Sequence, residues 1–107
     1  MPRVPRSVNR KVVFVTGAAR GIGRATAALL VAEGARVILA DLDGELAAKA
    51  AVEVGAALGL CVDVTDHEAF TAALDSVERD LGPLDVLINN AGVMPIGRFE
   101  DETDEGT

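Results

Sequence analysis

The 107-residue chain contains no tyrosine and no tryptophan. A reaction that needs a tyrosyl hydroxyl as its acid cannot be completed by these residues. There is one cysteine, Cys61, and one histidine, His67. A disulfide framework needs paired thiols, and an internal zinc site needs several Cys and His ligands, so both are excluded. Basic residues are scarce: 10 Lys+Arg stand against 17 Asp+Glu, a net charge of −7. Duplex nucleic acid, which calls for clustered Lys and Arg, is not an expected partner. No apolar run reaches the roughly 18 residues of a membrane-spanning helix, and the basic start lacks the apolar stretch of a secretory signal. The expectation is a soluble, cytoplasmic chain with no membrane partner.

Half of the residues are hydrophobic, enough for one small domain with a core and too many for a disordered tail. The charge is unevenly placed. Arg3, Arg6, Arg10 and Lys11 open the chain with no acid among them, and Glu100, Asp101, Glu102, Asp104 and Glu105 close it with no base. Residues 1–9, with Pro2 and Pro5, read as a loose, solvated leader, and residues 10–107 as the domain.

Strand-like and helix-like stretches alternate along that domain. Residues 11–16 (KVVFVT) form an apolar, β-branched run that stops at Gly17. Residues 22–33 carry Ile22, Ala25, Leu29, Leu30 and Ala32 at helical spacing, with Gly34 as the stop. Residues 36–41 (RVILAD) read as a second strand, 44–54 as an Ala-rich helix closed by Gly55, and 59–63 (GLCVD) as a short third strand. Thr65 or Asp66 can cap the next helix, which presents Phe70, Ala73, Leu74, Val77 and Leu81 on one face before Gly82 and Pro83. Residues 84–89 (LDVLIN) read as a fourth strand. Unbroken apolar strands separated by helices of ten to sixteen residues imply an open parallel sheet, buried on both faces by right-handed crossovers.

The first strand runs into Thr16-Gly17-Ala18-Ala19-Arg20-Gly21-Ile22-Gly23. Gly17 permits a sharp exit from the strand, Gly21 a close approach of backbone to a pyrophosphate, and Gly23 close packing of the helix on the sheet. The helix begins without a carboxylate, and Arg20 and Arg24 flank it, which leaves its positive end open to an anion. A plain structural turn remains the alternative. The Gly-Lys-Ser/Thr ending of an ATP-binding loop is missing. Asp41 follows Gly23 by 18 residues, where a ribose-binding acid is expected. A carboxylate there accepts hydrogen bonds from a ribose diol and repels a 2′-phosphate, favouring NAD over NADP. Leu42 adds no compensating positive charge. Arg20 pulls the other way, since a base before the second glycine can pair with that phosphate. A solvated strand-end acid is the alternative for Asp41, as a helix cap is for Asp63 and a turn for Asn89-Asn90-Ala91-Gly92.

Taken together, Thr16-Gly17-x-x-x-Gly21-Ile22-Gly23, Asp63-Val64-Thr65-Asp66 and Asn89-Asn90-Ala91-Gly92 resemble, in order and spacing, the glycine, adenine-contacting and fourth-strand motifs of the short-chain dehydrogenase/reductase family. The resemblance spans roughly residues 10–105. It implies a Rossmann-type doubly wound parallel sheet, of which this chain holds the first four strands and their helices. It also implies that Gly17, Arg20 and Ile22 line a pyrophosphate and that Asp41 and Leu42 meet the ribose. The Asp63 side chain would take the adenine amino group, with the Val64 N–H on a ring nitrogen. Asn90, Ala91 and Gly92 would pass under the nicotinamide-side ribose, and Asn89 would brace the sheet.

The family transfers hydride with a Ser, a Tyr and a Lys, the last two spaced Tyr-x-x-x-Lys. That set is missing: there is no Tyr, the lysines, Lys11 and Lys49, sit on the first strand and the second helix, and the serines are Ser7 in the leader and Ser76 on a helix. The expectation is therefore the cofactor-binding N-terminal part of a longer NAD-dependent oxidoreductase. That enzyme would act on a secondary alcohol or ketone and be homo-oligomeric when intact, with its catalytic residues beyond residue 107. Residues 1–107 alone would be inactive, with residues 85–88 a bare apolar edge. A non-catalytic NAD-binding module is the other reading, and an epimerase-like relative a third, disfavoured by the Gly21-Ile22-Gly23 spacing. His67 reads as exposed, Cys61 as a small buried strand residue, and the terminal acids as a helix start rather than metal ligands. Phe99 would pack at the base of the substrate region, and the resemblance implies that Met94-Pro95-Ile96 lie near the nicotinamide and help shape the pocket.

Overall fold

The computed structural model describes residues 8–90. They form β1 (Val12–Thr16), α1 (Gly21–Ala32), β2 (Arg36–Asp41), α2 (Gly44–Val54), β3 (Leu58–Cys61), α3 (His67–Leu81) and β4 (Val86–Asn89). The four strands make one parallel sheet in the order β3-β2-β1-β4. Residue pairs Phe14↔Ile38, Phe14↔Leu87 and Ile38↔Leu58 set the register. This is the Rossmann-type arrangement, with its change of direction at β1, where β2 lies on one side and β4 on the other. Among the described residues, no helix is long and apolar enough to cross a membrane.

Each central strand feeds two cores because successive side chains leave opposite faces. Val13, Val15, Val37 and Leu39 pack with Ala27 and Leu30 of α1 and Ala47, Ala50 and Ala51 of α2. Val12, Phe14, Ile38 and Ala40 pack with Phe70 and Val77 of α3. The Phe14 and Phe70 rings meet edge to face, 5.9 Å between centroids. Asp66 rather than Thr65 caps α3, its Oδ1 accepting from the Ala69 N–H at 3.1 Å.

Four expectations are corrected. The buried face of α1 is Gly23, Ala27 and Leu30, whereas Ile22 is 78% exposed and Leu29 lies outward. This helix is apolar almost all round, so periodicity alone does not choose its face; the glycine contact does. Cys61 is exposed, because β3 is an outer strand of the described sheet. For the same reason β3 and β4 are only partly buried, unlike β1 and β2. Ordered packing also begins before residue 10, with Val8 buried in the α1–α2 core and its carbonyl accepting from the Lys11 N–H at 2.9 Å.

The sheet and α2 touch most closely at Gly59. A Cβ there would lie 2.6 Å from the Ala47 carbonyl oxygen and 2.9 Å from the Ala48 Cα. Backbone on both sides leaves nothing flexible to yield. Gly59→Ala is expected to destabilise the protein by about 1–3 kcal/mol, as overpacking does. A urea unfolding midpoint equal to that of the parent chain would refute this contact.

Candidate functional site

The loop from β1 to α1 is held in place from the neighbouring strand. The Ala18 N–H donates to the Ala40 carbonyl at 3.0 Å, and the Ala19 N–H donates to Asp41 Oδ2 at 3.0 Å. Gly17 (φ 60°) and Gly21 (φ 63°) both occupy the left-handed region that suits glycine. Open space surrounds the position a Gly21 Cβ would take. Gly23 is different: a Cβ there would collide with the Gly17 carbonyl oxygen. It packs the helix onto its own loop rather than onto the sheet as expected. Arg20 is the extended N-cap residue and makes no side-chain cap, and the first turn holds no acid. The opening amides of α1 therefore keep the donor capacity and partial positive charge that suit an anion.

Asp41, half-buried at the end of β2, is fixed by two backbone donors. Oδ2 takes Ala19 N–H, and Oδ1 takes Asp43 N–H at 3.1 Å. Asp43 caps α2 through Oδ1, which accepts from Leu46 N–H at 3.1 Å, and its Oδ2 stands 3.5 Å from the Arg20 guanidinium. Arg24 pairs with Glu53 of α2 at 2.9 Å. The two bases expected to flank the anion site freely are thus each matched by an α2-side carboxylate. Sequence reasoning missed Asp43; the Asp-Gly-Glu start of the second helix is the cap signal that could have found it.

A cavity of about 320 Å³ lies at the carboxyl ends of β1, β2 and β3, lined by Gly17, Asp41, Leu42, Val62, Asp63, Val64 and Thr65. Leu42 and Asp63 are exposed and Val64 half-buried. Asp63 Oδ1 accepts from the Thr65 hydroxyl at 2.6 Å and from the Thr65 N–H at 2.9 Å. The hydroxyl bond first, and the amide bond second, hold the carboxyl below the usual aspartate range. Both bonds fall on Oδ1, so Oδ2 retains acceptor capacity for an amine. The Cys61 thiol donates to the Leu42 carbonyl at 3.3 Å and makes no contribution to the cavity wall.

At the other side of β1, buried Thr16 ties two strands. Its hydroxyl donates to Asn89 Oδ1 at 2.9 Å and accepts from the Asn90 N–H at 3.1 Å. The bracing role expected of Asn89 is therefore in place, and Asn90 sits exposed where β4 leaves the sheet. Ala91 and Gly92 lie outside the described residues, as do Met94, Pro95, Ile96, Phe99 and the terminal acids. His67 is exposed at the start of α3. The structure thus brings Gly17, Asp41, Leu42, Asp63 and Val64 around one cavity, with Arg20, Gly21 and Ile22 at the adjoining helix start.

The short chain dehydrogenase family model matches residues 11–106. The chain is 43% identical, over 94% of its length, to trans-4-hydroxycyclohexanecarboxylate dehydrogenase of Sinomonas cyclohexanicum. It is 40% identical over 92% to galactitol 2-dehydrogenase of Agrobacterium fabrum. It is 46% identical over 85% to a 3-alpha-(or 20-beta)-hydroxysteroid dehydrogenase of Mycobacterium tuberculosis. The chain spans only 43%, 39% and 35% of these three proteins, respectively.

Two substitutions probe the site. Thr65→Val removes the hydroxyl bond to Asp63, so the Asp63 titration midpoint should move up toward the ordinary aspartate value in a carboxyl NMR titration. The sign follows from the depressed pKa: the stabilisation is complete at neutral pH and is lost as pH falls through the folded-state value. An unmoved midpoint would refute the assignment. Thr16→Val removes the hydroxyl that links Asn89 Oδ1 to the Asn90 N–H. Because both asparagines are exposed and the Asn90 N–H keeps the Thr16 carbonyl, the loss should be about 0.5–1.5 kcal/mol in chemical unfolding, and an unfolding midpoint equal to the parent's would contradict this tie.

Proposed function

The chain belongs to the short-chain dehydrogenase family, and from that premise we propose that it forms the NAD-binding part of an oxidoreductase. The protein that carries it would pass a hydride between the nicotinamide and a secondary alcohol or ketone. The observation that carries the cofactor reading is the Asp41 carboxylate, pinned by the Ala19 and Asp43 amides at the wall of the cavity. A fixed anion there suits a ribose diol and opposes a 2′-phosphate, which favours NAD over NADP.

The residues fit an adenine dinucleotide in character. Gly17, Arg20, Gly21 and Ile22 would meet the pyrophosphate at the open start of α1, with Gly23 keeping that helix close to the loop. Asp41 and Leu42 would meet the adenosine ribose. Asp63 Oδ2 is a sound acceptor for the adenine amino group, and the Val64 N–H would serve a ring nitrogen. Asn90, Ala91 and Gly92 would lie under the nicotinamide-side ribose. When bound, the nicotinamide supplies the hydride donor or acceptor; this chain's residues bind and orient it.

A Ser, Tyr and Lys acid–base set would come from residues beyond Thr107, and residues 1–107 alone would not turn over substrate. The relatives' names speak of hydroxyl-bearing substrates, consistent with an alcohol in the intact protein. A non-catalytic NAD-binding module is the second reading, since the site on these residues is built for binding and orientation. A Tyr-x-x-x-Lys sequence some way downstream in the reading frame would decide for the enzyme.

Calorimetric titration of NADH and NADPH into the full-length protein tests the cofactor assignment. NADH is expected to bind more tightly. Asp41→Ala should weaken NADH by about tenfold or more and relax the discrimination, given what a hydrogen bond to a charged group contributes. Wild-type affinities for both cofactors in that variant would end the ribose assignment.

A further inference from the structure

Arg20 is the only base between Thr16 and Gly23. It is also the side chain on the loop with the reach and charge to meet a phosphate on the adenosine ribose. Its guanidinium lies against Asp43, whose own amide is bonded to the ribose-side acid Asp41. The ion pair is open to solvent, with side chains 70% and 50% exposed. Asp43 is placed firmly nonetheless, since the same carboxylate caps α2. The second base at the helix start, Arg24, is already matched by Glu53.

We propose that Asp43 is a specificity-determining residue: by pairing with Arg20 it holds the guanidinium away from a cofactor 2′-phosphate and so raises the preference for NAD. The proposal rests on the ribose reading of Asp41. In that reading Asp41 repels the extra phosphate directly, while Asp43 withholds the glycine loop's own cation, which could offset the repulsion. Two carboxylates two residues apart divide the discrimination between them. Because the pair is exposed and screened, the Asp43 share is modest and Asp41 discriminates more strongly.

Asp43→Asn tests this with little disturbance, since asparagine caps helices as well as aspartate does. Dissociation constants for NADH and NADPH are measured by calorimetry on the full-length protein, in the parent and in an Arg20→Gln background. Asp43→Asn is expected to tighten NADPH by about two- to fivefold, with NADH changed by less than about twofold. The gain should disappear when Arg20 is already replaced, as coupling through that pair requires. Unchanged NADPH affinity would overturn the role of Asp43. An equal gain in the Arg20→Gln background would overturn it too, because simple removal of a negative charge would then explain the effect. If the parent protein prefers NADH and these results fail, only the Asp43 proposal falls. If the parent binds neither dinucleotide, the cofactor reading falls and this proposal with it.

Discussion

Two hydrogen bonds between the glycine loop and the end of β2 organise the site. The Ala18 and Ala19 amides, consecutive along the loop, take the Ala40 carbonyl and the Asp41 carboxylate as partners. The loop thereby becomes an extension of the sheet edge instead of a free connection. Its geometry is then narrow: the chain must turn through positive φ at Gly17 and Gly21, and the helix must return close enough that Gly23 touches the Gly17 carbonyl. The direction of α1, and so of its opening amides, follows from that closure.

The same interaction gives Asp41 two duties. Its oxygens satisfy backbone donors from the loop on one side and from the start of α2 on the other, and the carboxylate still borders the cavity. Asp43 repeats the pattern two residues later, capping α2 while facing Arg20. Charge at this edge is held by backbone amides and by one exposed cation. The carboxylates therefore keep their places without a buried ion pair, which would carry a heavy desolvation cost.

Much of this was legible along the chain. The bounds of β2 and α2 and the end of α3 at Leu81 follow from local signals, an apolar β-branched run and glycine stops, whereas the cap of α3 is narrowed only to Thr65 or Asp66 until the structure selects Asp66. Asp41 and the glycine loop stand out by spacing, and Asp63 only through the family resemblance. For Asp43 the local signal extends only to its cap on α2; its pairing with Arg20 spans a whole strand and helix and leaves no local trace. The apolar spacing of α1 does not select its buried face, because its residues are apolar in nearly every direction; Gly23 and the loop behind it do. Cys61 looked buried within GLCVD, yet strand composition does not reveal whether a strand lies inside a sheet or at its margin.

The amino-acid sequence alone determined the alternation of strands and helices, the parallel class of the sheet and the residue types able to meet a dinucleotide. Each of these depends on neighbours within a few residues or on the length of a crossover. Tertiary structure alone decided which carboxylate oxygens are committed to backbone amides, which cations are already paired and which strands lie outermost. Those outcomes depend on groups far apart in the chain, whose approach is set by the order β3-β2-β1-β4.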